Sequence, residues 1–216
     1  MWILNESEKY VFNHPFRCFI AGPSCCGKTK LLEKILLNLN KLIDKPIEKI
    51  VVCYKVMQPI YDTFKYLPID VEFVEGLIDV TKFDSKINSL LLIDDLMELC
   101  KESKEIVSLF SVDSHHRNIS VFLVAQNIFS KGKCTRDLTL NSSYMIIFKN
   151  PRDSNQISVL ARQIFPGKSK AFMEAFNDAT SKEHGYLFLD FNQKTSEKMR
   201  IQTNVTDEKR IFYTIN

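Results

Sequence analysis

The amino-acid sequence predicts an α/β fold, a mainly parallel β-sheet flanked by helices. Three observations carry this. Short apolar, β-branched runs recur at 16–21, 50–54, 71–74, 90–93 and 119–125 and alternate with amphipathic or polar stretches, the rhythm of βαβ units. Leu90-Leu91-Leu92-Ile93 and the run Ile119 to Ala125 are almost unbroken in apolar side chains, as strands covered on both faces are. Finally, Gly22-Pro23-Ser24-Cys25-Cys26-Gly27-Lys28-Thr29, between an apolar run and an amphipathic one, fits the phosphate-cradling pattern G-x-x-x-x-G-K-[ST] at every fixed position.

Residues 1–14 are polar and mixed and read as an N-terminal arm, with 15–216 as a single domain. Strand 16–21 and the helix through Leu31-Leu32-Glu33-Lys34-Ile35-Leu36-Leu37 make the first phosphate-binding unit, which ends at the polar run from Asn38 to Pro46. Ile50 to Tyr54 is a buried strand, 57–66 a helix, and Val71 to Val74 another strand. After the strand ending at Asp94-Asp95, one helix is expected from Leu96 to Phe110. Ser130-Lys131-Gly132-Lys133 reads as a basic turn, Tyr144 to Phe148 as a strand, and 155–165 and 168–179 as helices split at Pro166-Gly167. Tyr186 to Asp190, Met199 to Gln202 and Ile211 to Tyr213 close the sheet.

Composition narrows the class. With 216 residues, 45% hydrophobic and 25% charged, the chain is an ordinary globular one, able to bury about 70% of its unfolded surface. No apolar run approaches the roughly 18 residues of a membrane span, and residues 1–8 lack a signal peptide's basic start and apolar centre, so an intracellular location is expected. A net charge of +3 is too small to argue for nucleic acid by itself. The six cysteines show no C-x-x-C spacing and read as reduced thiols. Cys25 and Cys26 lie near Lys28 and a helix N-terminus, which should lower their pKa values.

The loop dictates its chemistry. Backbone N–H groups from Gly22 to Thr29 would wrap a β-phosphate, Lys28 would reach the β- and γ-phosphates of ATP, and the Thr29 hydroxyl would ligate Mg²⁺. Asp94 and Asp95 end a central strand beside it. There the first carboxylate suits the metal shell and the second suits orienting and deprotonating water, with Glu98 a competing base. Gln126, at the tip of the next buried strand, can accept from water and donate to a γ-phosphate oxygen.

Four segments together resemble the FtsK/HerA-type genome-packaging ATPases of double-stranded DNA viruses, virophages and Polinton/Maverick elements. They are Gly22 to Thr29, Leu91-Leu92-Ile93-Asp94-Asp95, Arg117 to Gln126, and Phe148-Lys149-Asn150-Pro151-Arg152-Asp153, spread over about residues 16–190. The resemblance implies a P-loop NTPase of the RecA-like (ASCE) kind, with the glutamine strand between the phosphate-loop and Asp-Asp strands. It also implies ATP-driven translocation of double-stranded DNA into a capsid by a homo-oligomeric ring, pentamer or hexamer, working with a capsid or portal component. A trans arginine finger is part of that picture, Arg117 matching the position best and Arg136 and Arg152 following. The chain departs from many relatives in carrying Asp95 where they have glutamate. Lys131, Lys133, Lys168 and Lys170 qualify by charge as phosphate grips for DNA. Two other readings fit the loop alone: a nucleotide or small-molecule kinase, and a nucleotide-regulated binding protein without turnover.

Overall fold

The computed structural model describes residues 10–110, 114–129 and 133–215. In them one sheet runs in the order β3-β2-β4-β5-β1-β6-β7-β8-β9. The strands are β1 Arg17–Ala21, β2 Lys49–Tyr54, β3 Asp70–Glu75, β4 Ser89–Asp94, β5 Ile119–Ala125, β6 Tyr144–Phe148, β7 Tyr186–Asp190, β8 Ile201–Thr203 and β9 Ile211–Tyr213. β1 to β6 pair in parallel, and β7, β8 and β9 extend the sheet antiparallel from β6. The glutamine-tipped strand β5 lies between β1 and β4, the order implied by the resemblance.

Because side chains alternate across a strand, the central strands feed two cores. Cys18 and Ile20 of β1 face one side with Leu32, Ile35 and Leu36 of helix α1 (Lys28–Leu36) and with Leu39 and Leu42 of α2 (Leu39–Leu42). Phe19 and Ala21 face the other, against α3 (Met97–Glu102), α4 (Lys104–Ser108), α7 (Asn155–Ile164) and α8 (Ser169–Ala179). Two further helices are α5 (Ser114–Arg117) and α6 (Lys133–Leu140). Every residue of β4 and β5 is buried, which is why both read as apolar runs.

Local chemistry overrides the sequence reading in four places. The helix expected from Leu96 to Phe110 is broken at Ser103, whose extended backbone and side-chain oxygen, accepting from Ile106 N at 3.2 Å, start a second helix. Pro59–Tyr66 is a 3₁₀ rather than an α-helix. α2 follows α1 after a break at Asn38, and α6 begins at Lys133, the last residue of the expected basic turn. Lys131 lies outside the described residues.

Of the expected N-terminal arm, residues 10–14 are described. Phe12 N and Val11 N donate to Leu42 O at 2.9 Å, and the Phe12 ring is fully buried among Phe16, Phe122, Tyr144 and Phe188, with centroids 4.8 to 5.7 Å apart. Among the described residues no helix is long and apolar enough to cross a membrane.

Candidate active site

Strand register brings the motifs to one level. Ala21 of β1 is opposite Ala125 of β5, and Asp94 of β4 is opposite Val124. The next residues, Gly22, Gln126 and Asp95, therefore leave the sheet side by side, and Gly22 N donates back to Ala125 O at 3.2 Å. On the other flank Ala21 is opposite Ile147 of β6, so Phe148 stands beside Gly22. A Cβ on Gly22 would lie 2.7 Å from Phe148 Cβ and 2.7 Å from Cys26 Sγ, so the first glycine of the loop is a requirement of close approach.

The loop then turns through left-handed backbone at Cys25 (φ 62°) and Gly27 (φ 107°) into α1, which Gly27 precedes as its N-cap. Lys28 Nζ folds back onto the loop, donating to Gly22 O at 2.6 Å and Pro23 O at 2.7 Å. Its ammonium is thus held over the cradle by acceptors that phosphate oxygens would outcompete. Cys26 departs from expectation: partial burial raises its thiol pKa and outweighs the lowering by Lys28. Cys25 is exposed, while Cys18, Cys53 and Cys100 are buried.

Asp94 is buried at 4% exposure, and its Oδ2 accepts from Tyr61 Oη at 2.5 Å and Gln58 Nε2 at 3.3 Å. Burial raises its pKa, opposed by the Tyr61 hydrogen bond and by the charge of Lys28. Tyr61 Oη is itself pushed well up by burial and by the Asp94 carboxylate. Neither Tyr61 nor Gln58 is marked by a motif. Both come from the 3₁₀ segment and its lead-in, which the structure folds over the end of β4. With Oδ2 engaged, Asp94 Oδ1 has no hydrogen-bond partner among the described residues and suits a further ligand. A carboxylate oxygen together with the half-buried Thr29 hydroxyl is a hard oxygen donor pair that fits Mg²⁺.

Asp95 is exposed and adopts φ 56°, an uncommon conformation for a residue with a side chain. That backbone turns its carboxylate toward the neighbouring strand, where Oδ1 accepts from Gln126 Nε2 at 3.2 Å. The two groups expected to handle water are therefore brought together. Glu98 instead pairs with Lys101 at 2.6 Å, its side chain 86% exposed.

Arg117 is not part of this cluster in its own chain. It ends α5 ahead of β5, whereas Gln126 follows β5, and seven residues at about 3.3 Å each set the two roughly 23 Å apart. Arg136 is exposed on α6, while Arg152 lines a cleft beside Ser24 and Gln126. Two further contacts escaped the sequence. His184 Nδ1 donates to Cys26 O at 3.1 Å, its ring closing against Gly27. Gln156 of α7 accepts from Ile128 N at 2.8 Å and Phe129 N at 3.1 Å and donates to Asp153 Oδ2 at 2.6 Å. It thereby ties the loop after β5 to the loop after β6.

No protein-family model and no curated protein matches the sequence, whereas solved structures do. The genome packaging NTPase B204 from Sulfolobus turreted icosahedral virus 2, solved in complex with ATP-gammaS, aligns with a TM-score of 0.56 at 14% identity, over 87% of this chain and 96% of that one. This chain has a P-loop ATPase fold. The same NTPase in complex with AMPPCP aligns at 0.53 and 15% identity. The cytoplasmic domain of the Type VII secretion ATPase EccC from Thermomonospora curvata aligns at 0.51 and 12% identity, over 92% of this chain and 25% of that one. What is shared at these identities is the fold. It agrees with the FtsK/HerA-type resemblance carried by the motifs.

Proposed function

We propose that this protein is a Mg²⁺-dependent ATPase that drives double-stranded DNA into a capsid as a homo-oligomeric ring, a pentamer or hexamer. The observation that carries the hydrolytic half is the convergence of Lys28, Asp94, Asp95 and Gln126 where β1, β4 and β5 end side by side. The packaging half is supported by the ordered motifs and by likeness to a packaging NTPase along nearly the whole of both chains.

Lys28 exchanges its two carbonyl partners for phosphate oxygens and neutralises charge that grows toward the transition state. Thr29 and Asp94 would hold Mg²⁺, which would supply Lewis-acid stabilisation of the charge developing on the phosphates. Tyr61 and Gln58 hold Asp94 in place for that task. Asp95 takes the proton of the attacking water, and Gln126 orients that water against the γ-phosphate. Arg117 reaches the site of the neighbouring subunit, which its separation from its own loop favours. The ring works inside the host cell with a capsid or portal component.

The test is ATP turnover with and without double-stranded DNA, alongside the mass of the active species in solution. Stimulation by DNA and a ring-sized mass are expected. A DNA-indifferent monomer that transfers phosphate to a soluble acceptor would replace the motor by a kinase.

A further inference from the structure

Between the phosphate loop and the segment after β6 lies a cleft of about 480 Å³, lined by Pro23, Ser24, Gln126, Asn127, Asn150, Pro151, Arg152 and Asp153. From this arrangement we infer that Arg152 is an intrachain ligand for the terminal phosphate of the bound nucleotide, distinct in role from a finger supplied by a neighbour.

Four features support the assignment, which rests on the ATPase reading above. The register sets Phe148 against Gly22 on the flank of β1 opposite β5, and the Asn150–Asp153 turn that follows lines one cleft with Ser24 and with Gln126. The turn is fixed in its backbone, since Asn150 Oδ1 accepts from Arg152 N at 3.1 Å and Asn150 O from Asp153 N at 3.3 Å. Among the described residues no carboxylate pairs with the Arg152 guanidinium. A guanidinium on a fixed turn with open donors is suited to a phosphate, which it grips with two parallel bonds. The competing charge in the cleft is Asp153, and Gln156 Nε2 holds its Oδ2 at 2.6 Å. The same Gln156 side chain donates to Asn127 Oδ1 at 3.3 Å, so Arg152 and Gln126 stand on loops that are tied together.

An arginine that touches only the terminal phosphate distinguishes triphosphate from diphosphate. In the full chain, displacement of a fluorescent ADP by ATP-gammaS and by ADP measures this. Arg152→Ala is expected to weaken ATP-gammaS by about tenfold, as loss of a charged hydrogen-bonded contact does, and to leave ADP within about twofold. Arg162→Ala, an exposed arginine of α7, should change neither. Equal or absent effects of Arg152→Ala on both nucleotides overturn the inference while leaving the ATPase reading intact. A wild-type chain that binds neither nucleotide, or a Lys28→Ala chain that binds both unchanged, overturns that reading and the inference with it. Mixing Lys28→Ala and Arg152→Ala subunits separates the two geometries. A ligand within the chain gives no recovered turnover, and recovered turnover would make Arg152 a residue acting across the interface.

Discussion

The Tyr61 hydroxyl donates to Asp94 Oδ2 over 2.5 Å, a contact between a 3₁₀ segment and the end of a central strand that holds a buried carboxylate in one orientation. Tyr61→Phe keeps the ring packed on Tyr54, Phe64 and Phe73 and removes only the donor. Turnover should fall about tenfold with a higher Mg²⁺ requirement, as loss of a hydrogen bond that orients a metal-binding carboxylate does. A Mg²⁺ titration of ATPase rate checks it, and an unchanged half-saturating concentration would detach Tyr61 from the metal carboxylate.

Asp94 should cost stability where it is ionised. Burial raises its folded pKa above the unfolded value, so between those two values the folded state binds more protons, and stability falls as pH rises through that window. Above it the loss is complete. Asp94→Asn is therefore expected to melt above wild type at pH 7, to lose that advantage as pH falls toward 4, and to be inactive. Thermal melts across pH test this, and a lower melting temperature at pH 7 would contradict it.

For water activation, Asp95→Asn should retain nucleotide binding and lose about 10²-fold or more in turnover, the range of a general base. Gln126→Ala should also be slow. Since Gln126 donates to Asp95, the double variant should lose less than the product of the single losses. Independent, multiplicative losses would mean that the two act separately.

Mixed assemblies address Arg117. If it serves the next subunit, adding Arg117→Ala protein to wild type should depress turnover more steeply than the mutant fraction, whereas a linear decline would confine its effect to its own chain.

Phe12 sits at the centre of the aromatic cluster behind β1 and β5, and Phe12→Ala should remove about 3–5 kcal/mol. Chemical denaturation measures this. A loss under about 1 kcal/mol would show that residues 10–14 fold independently of the sheet.

What could be read from the sequence was what lies in one continuous stretch. Gly22 to Thr29 states its own geometry through two glycines and a lysine, and Asp94, Asp95 and Gln126 announce themselves as polar tips on apolar strands. Tyr61, Gln156 and His184 carry no such mark. Their partners are 33, 28 and 158 residues away, so their meaning exists only once the sheet is assembled. The single helix expected after Asp95 failed for a local reason, a serine whose side chain competes for a backbone N–H. The lowered thiol pKa at Cys26 failed because proximity to charge is legible in a sequence and desolvation is not.

β5 is seven residues long, buried at every position and paired on both sides, so it has no slack along its length. In the proposed ring it would act as a push-rod. One end leads to Gln126, proposed to read the subunit's own nucleotide, and the other to Arg117, proposed to serve the next. A displacement of less than an ångström at Gln126 on loss of the γ-phosphate would be delivered to the adjoining subunit almost undiminished, and firing in sequence around the ring would need no additional moving part.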